Sequence, residues 1–317
     1  MENTNYSSFN RLSSNSTQPI IPKEYQSKIT LSKILLVNLN ATITELAKKL
    51  ILKGFNIYLY DKGYITEKDI TTNFYLNESD LGKERAKTIL ERLNHLSAVV
   101  SISIIEDISI AKDIKFACVG FRNFTELANY EEYFTRKEVI YYCINTSGIY
   151  GFYYNNIKVK RNGDVIIDPI SFVKKSEAFL SNIKNNTNST LNIDWLVYSI
   201  YLLELYYRKN VSKDNLRIEM QSNDIDEKNF QKKIFYIENY FKLNRIHLDN
   251  NKTNLMNVLK KLIVNYNKEF NPLCVMMGEI VANQIYNYLT DQELPKTNIV
   301  TYNSEIEPFD YMTFLSV

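Results

Sequence analysis

The residues that say most about chemistry lie in a turn where glycine is expected. Lys33–Leu39 (KILLVNL) reads as a buried first strand and Ala41–Lys53 (ATITELAKKLILK) as the helix after it. Nucleotide-binding folds place glycines between two such elements. The backbone can then approach a phosphate, and the helix N-terminus can point at it. Here the turn is Asn38-Leu39-Asn40-Ala41-Thr42-Ile43, with no glycine. Asp61 closes the second strand (NIYLYD), where an acid holds a ribose hydroxyl in such folds. With the glycines gone, a helix-cap or loop role for Asp61 is the favoured reading. The scaffold is legible and the phosphate cradle is not, which points to a partner subunit rather than a self-sufficient enzyme.

The other reactive side chains offer little. Cys118, Cys143 and Cys274 are far apart in apolar runs with no C-x-x-C pair, which argues against a zinc or dithiol site. Cys274 opens an apolar helix with no histidine near it in sequence, so core packing is favoured over a nucleophile. His95 and His247 are the only histidines, and neither has a companion at ligand spacing. A net charge of +2 with both signs dispersed predicts no nucleic-acid binding. The polar, Ser- and Asn-rich N-terminus carries no apolar segment of signal or membrane-spanning length. Sparse thiols suit a reducing compartment, so a soluble intracellular chain without membrane contact is expected.

The elements that must position these residues alternate. Gly82–Leu96 has helical spacing, with Ala86, Ile89, Leu90, Leu93 and Leu96 on one side. Further strands are read at Val99–Ile105, Ile114–Phe121 and Val139–Asn145, with a helix near Thr125–Thr135 before the last. This alternation predicts a Rossmann-like, mainly parallel sheet covered by helices. Tyr150–Ile157 and Val165–Pro169 read as antiparallel strands, and Ile183–Thr190 as a polar break. Helices follow at Ile193–Arg208, around Lys228–Phe241, around Leu255–Tyr266 and over Cys274–Leu289 after Asn271-Pro272. The tyrosine-rich run Trp195–Tyr207 reads as a core helix. Gly278 and Ala282, four apart, share a helix face and permit a close backbone contact, within the domain or against a partner. Thr297–Tyr302 and Tyr311–Val317 read as closing strands. The expected domains are a flexible lead-in (1–27), a Rossmann-like pseudo-adenylation domain (28–170), a helical insertion (171–270) and a C-terminal completion of the fold (271–317).

Four segments resemble the ThiF/MoeB-type family of ubiquitin-like-protein activating enzymes, and within it the non-catalytic small subunits of heterodimeric SUMO-activating enzymes. Ile34–Leu52 (ILLVNLNATITELAKKLIL) is similar to the family's first strand and helix. Asp61–Arg92, through Asn73-Phe74-Tyr75 and Gly82-Lys83-Glu84-Arg85-Ala86, resembles the stretch after the second strand. Asn145–Asn155 resembles the family's crossover, and Asn271–Pro295 its late helix with a Pro-containing exit. Arg85 matches a family position near the nucleotide, yet it lies on the polar side of its helix. A structural or interface salt bridge is its favoured role, and Asp61, Asn73, Gly278 and Ala282 are separate structural or interface candidates.

Departures from the family pattern define the expected role. The turn lacks glycine, the fourth strand runs into Phe121-Arg122-Asn123 where an acid would hold magnesium, and no C-x-x-C exists. Adenylyl transfer needs positioned donors and metal, so this chain is expected to bind no cofactor and to be inactive alone. The resemblance implies a large catalytic subunit that holds ATP and magnesium, adenylates SUMO and carries the thioester cysteine. It also implies a location in nucleus and cytoplasm. The family's N-terminal element sends an arginine into the partner's ATP site. In Tyr6–Leu12 (YSSFNRL) Ser8 occupies that position, leaving Arg11 as the substitute. The rival readings are a regulatory subunit of a NEDD8-activating enzyme (much longer chains), a stand-alone enzyme with a diverged phosphate loop, and a non-enzymatic scaffold.

Overall fold

A computed structural model describes residues 23–111, 113–121, 124–157, 159–161, 165–167, 199, 227–243, 252–265, 268–290, 299–303 and 312–315. The chain divides into two compact units, one of Met1–Gly120, Phe134–Tyr142 and Cys274–Pro295, the other of Phe121–Tyr133, Cys143–Leu273 and Lys296–Val317. Each unit is assembled from three separate stretches of chain.

In the first unit, α1 (Lys23–Leu31) leads into β1 (Lys33–Val37), α2 (Ala41–Leu52) and β2 (Asn56–Tyr60). The lead-in therefore gives way to helix four residues before the expected boundary at 27. A short α3 (Glu67–Thr72), α4 (Arg85–Leu93), β3 (Ile102–Ile104) and β4 (Ile114–Gly120) follow. Strands β3, β2, β1 and β4 lie side by side in that order, all parallel, with Leu36 opposite both Leu59 and Cys118. Strand β1 is central, and Ile34–Val37 are wholly buried. That is why it reads as an unbroken apolar run rather than an alternation. Helix α2 packs on β1, β2 and β4, and α4 packs on β2, β3 and α2. The mainly parallel expectation holds.

Helix α4 and strand β3 depart most from expectation. Helix α4 starts at Arg85 and not Gly82, because residues 82–84 first pair back to the loop after β2. The Gly82 N–H donates to the Ile65 carbonyl, and Tyr64 bridges to Glu84. Strand β3 is three residues long rather than seven, its register running only over Ile102–Ile104 against Ile57–Leu59. Helix α3 was not expected. Its signal was local: Thr66 and Asp69 form a capping box.

Helix α5 (Phe124–Arg136) and β5 (Ile140–Ser147) each contribute residues to both units. The second unit holds β6 (Tyr150–Asn155), a small hairpin of β7 (Val159–Arg161) and β8 (Val165–Ile167), α6 (Glu227–Leu243), α7 (Lys252–Asn265), β9 (Ile299–Asn303) and β10 (Met312–Leu315). Strands β6, β9 and β10 are antiparallel neighbours, with Tyr153 opposite Val300 and Thr313 opposite Thr301. Strand β6 is buried on both faces, and Phe121 meets Phe152 edge-on at 5.4 Å. Helix α8 (Asn271–Leu289) runs from the second unit into the first. The expected helix at Ile193–Arg208, with its tyrosine run from Trp195, lies outside the described residues apart from Ser199. The polar break at Ile183–Thr190 lies wholly outside them.

Candidate functional site: the closed entry turn of α2

The turn between β1 and α2 is held by side chains where a nucleotide fold would use glycine and a ligand. Asn38 takes the left-handed backbone (φ 59°), a conformation that asparagine tolerates best after glycine. Its amide donates to the Gly120 carbonyl at 2.8 Å. Asn40 caps the helix, its Oδ1 accepting from the Ile43 N–H at 2.9 Å. The Asn38 N–H donates to Tyr60, and the Asn40 N–H to the Asn38 carbonyl. Thus the N–H groups of residues 38, 40 and 43 have partners within the chain.

The N–H of Leu39 goes to Asp61, at 2.7 Å from Oδ2. Asp61 also accepts from the Gly63 N–H at 2.6 Å and pairs with Arg85 Nη1 at 2.9 Å. A carboxylate has about four lone-pair sites. Those of Asp61 are spent on its own chain, and its side chain is only 2% exposed. Arg85 Nη2 donates to the Tyr64 carbonyl at 3.0 Å and to Asp69 at 2.9 Å. Burial works against the Arg85 charge, but Asp61 and Asp69 more than offset it and hold the guanidinium protonated above its ordinary range.

Asn73 is buried beside the same turn. Its amide donates to Thr44 Oγ1 at 3.0 Å, and its Oδ1 accepts from the Tyr75 N–H at 3.1 Å. Tyr75 has its phenol pushed up by burial and by the nearby Glu45. Asp61 and Arg85 therefore meet directly, Asn73 braces the first turn of α2, and Gly278 and Ala282 lie on α8. A methyl on Gly278 would come within 2.8 Å of the Leu46 backbone nitrogen, so this residue packs within the unit against α2. Ala282 is fully buried. Arg11, Arg122 and His247 lie outside the described residues; His95 is exposed. All three cysteines are buried and unbridged, and burial pushes the Cys118 thiol up.

The residues at this turn do not fit a phosphate or a ribose. The N–H groups of residues 38, 39, 40 and 43 are bonded internally, and the acid that would hold a hydroxyl is saturated. Sequence reasoning located Asp61 and Arg85 but missed Asn38, Gly63 and Gly120. The signal for Asn38 was available: an asparagine in the first glycine position of a strand-to-helix turn.

The fold is Rossmann-like, and solved structures share it. A solved structure of E. coli MccB superposes with a TM-score of 0.53 at 15% identity, covering 99% of this chain and 70% of that one. Another, of MccB with ATP, gives 0.51 at 14%, covering 92% and 65%. No family model matches. In sequence, the chain is similar over nearly its whole length to SUMO-activating enzyme subunit 1 of Dictyostelium discoideum, 21% identical over 292 residues, covering 88% of this chain and 85% of that one. It is similar in the same way to DNA damage tolerance protein rad31 of Schizosaccharomyces pombe, 23% identical with 88% and 89% covered. A NEDD8-activating enzyme E1 regulatory subunit of Xenopus laevis matches over only 97 residues, 29% of this chain and 18% of that one.

Proposed function

We propose that this chain is the non-catalytic small subunit of a heterodimeric SUMO-activating enzyme. One observation carries this reading: the match to a SUMO-activating enzyme subunit 1 spans 88% of the chain. The closed turn supports the non-catalytic half of the reading, because Asn40 and Asp61 spend on the chain itself the groups a nucleotide would need. ATP and magnesium then belong to a large partner subunit, which adenylates SUMO and takes it as a thioester. This chain completes the adenylation core and acts in nucleus and cytoplasm. Arg11 supplies the contact to the partner's nucleotide that Ser8 cannot. The NEDD8 reading has weaker support, since its match covers less than a third of the chain.

A thioester assay tests this. The chain and the candidate large subunit from the same organism are supplied separately and mixed with ATP, magnesium and SUMO. A reducible SUMO adduct on the large subunit, formed only in the mixture, is expected. Adduct formation from this chain alone would overturn the reading. So would two chains that neither co-purify nor react, which would leave the scaffold. With the pair active, Arg11→Ala is expected to raise the KM for ATP.

A further inference from the structure

We infer that Arg85 is the internal ligand of the closed turn, its guanidinium seated in a built slot formed by Asp61, Asp69, the Tyr64 carbonyl and Gly63. The slot is shaped for a planar fork and not for a point charge. Nη1 lies 2.9 and 3.2 Å from the two oxygens of Asp61, while Nη2 reaches Asp69 at 2.9 Å and the Tyr64 carbonyl at 3.0 Å. One guanidinium therefore reaches two carboxylates through two separate nitrogens, where an ammonium would have to serve both from a single point. Nε makes no hydrogen bond, so the group is held by its outer edge alone.

Gly63 is an independent sign of construction. A Cβ there would lie 2.6 Å from Arg85 Nη1 and 2.9 Å from Asp61 Oδ1, so only a residue without a side chain leaves room for the pair. The slot reaches the helix through one further bond, since Asp61 Oδ2 also receives the Leu39 N–H. Arg85 is thus a positioning residue that orders the entry to α2 through Asp61, where a ligand-dependent turn would wait for its ligand. This inference stands on the chain's own geometry and not on the proposed pathway.

Removing the side chain should leave a guanidinium-shaped hole facing the buried Asp61 carboxylate and the half-buried Asp69. The full chain carrying Arg85→Ala is expected to melt several degrees lower than the parent. Guanidinium chloride at a few millimolar, far below denaturing levels, is expected to restore at least half of that loss saturably, while sodium chloride at equal ionic strength restores none. The parent chain is expected to gain nothing from either salt. No saturable rise, or an equal rise in the parent, would overturn the proposal. Should Arg85→Ala not fold, Arg85→Lys and Gly63→Ala carry the test. Both are expected to melt below the parent, and Arg85→Lys with parental melting would show that the fork is not needed.

Discussion

Helix α2 meets glycine logic at two places, and the two have opposite fates. At its N-terminal turn the glycines of a nucleotide fold are gone: Asn38 holds the left-handed backbone and Asn40 caps the helix. Half-way along, at Leu46, α8 still presents a glycine, because a methyl on Gly278 would lie 2.8 Å from the Leu46 nitrogen. The first set of glycines serves a ligand and the second serves backbone packing. Side chains can replace a ligand, but nothing can replace the space between two helices. Here the packing glycine is kept while the turn is closed by side chains.

The largest test strikes the turn's ion pair. Asp61→Ala leaves the buried Arg85 with Asp69 as its only acid, and losing one partner of a buried pair costs about 3–5 kcal/mol. Urea unfolding of the full chain should show this as a lowered midpoint. The packing side of the comparison comes next. Gly278→Ala would gain about 1 kcal/mol of helix propensity at an open position. Here overpacking of about 1–3 kcal/mol opposes that gain, and a net loss of stability is expected. An unchanged or raised midpoint would break the contrast between the two regions.

Asn38→Ala sharpens the turn itself. It forces a left-handed alanine and removes the bond to Gly120, a loss of about 1–2 kcal/mol. Asn38→Gly keeps the backbone freedom and should lose less; the gap between the two variants measures the conformational share.

The smallest expected effect is at the outer edge of the α2–α8 contact. Glu279 pairs with Lys49 at 2.8 Å and Lys53 at 3.4 Å while 37% exposed. Partial burial opposes its charge, but the two lysines prevail and hold its carboxyl below the ordinary 4.5. A depressed folded-state value means stabilisation that is present above about pH 4.5 and is lost as pH falls through the folded value. Glu279→Gln should cost about 0.2–1 kcal/mol at neutral pH and little at pH 3.

Much of this was legible in the sequence because it rests on local rules. The buried run of β1, the helical period of α4 and the absence of glycine in the turn are each properties of a few adjacent residues. Asp61 and Arg85 were legible as candidates, and a salt bridge was the favoured role for Arg85. Their pairing with each other was not, since it depends on a loop of 23 intervening residues folding back. That loop is shaped by the Thr66–Asp69 cap and the Gly82–Ile65 bond, and these also delayed the start of α4. Gly278 was recognised as a close-contact residue, but periodicity alone cannot say which surface meets it. The Leu46 backbone does.

The central claim is that this chain closes its own β1–α2 turn with side chains. Photolabelling with an azido-ATP tests it most directly, using the co-purified pair of this chain and its large subunit in the presence of magnesium. The account predicts label on the large subunit alone, competed away by ATP. Competable label on this chain within the Asn38–Asp61 segment would contradict it.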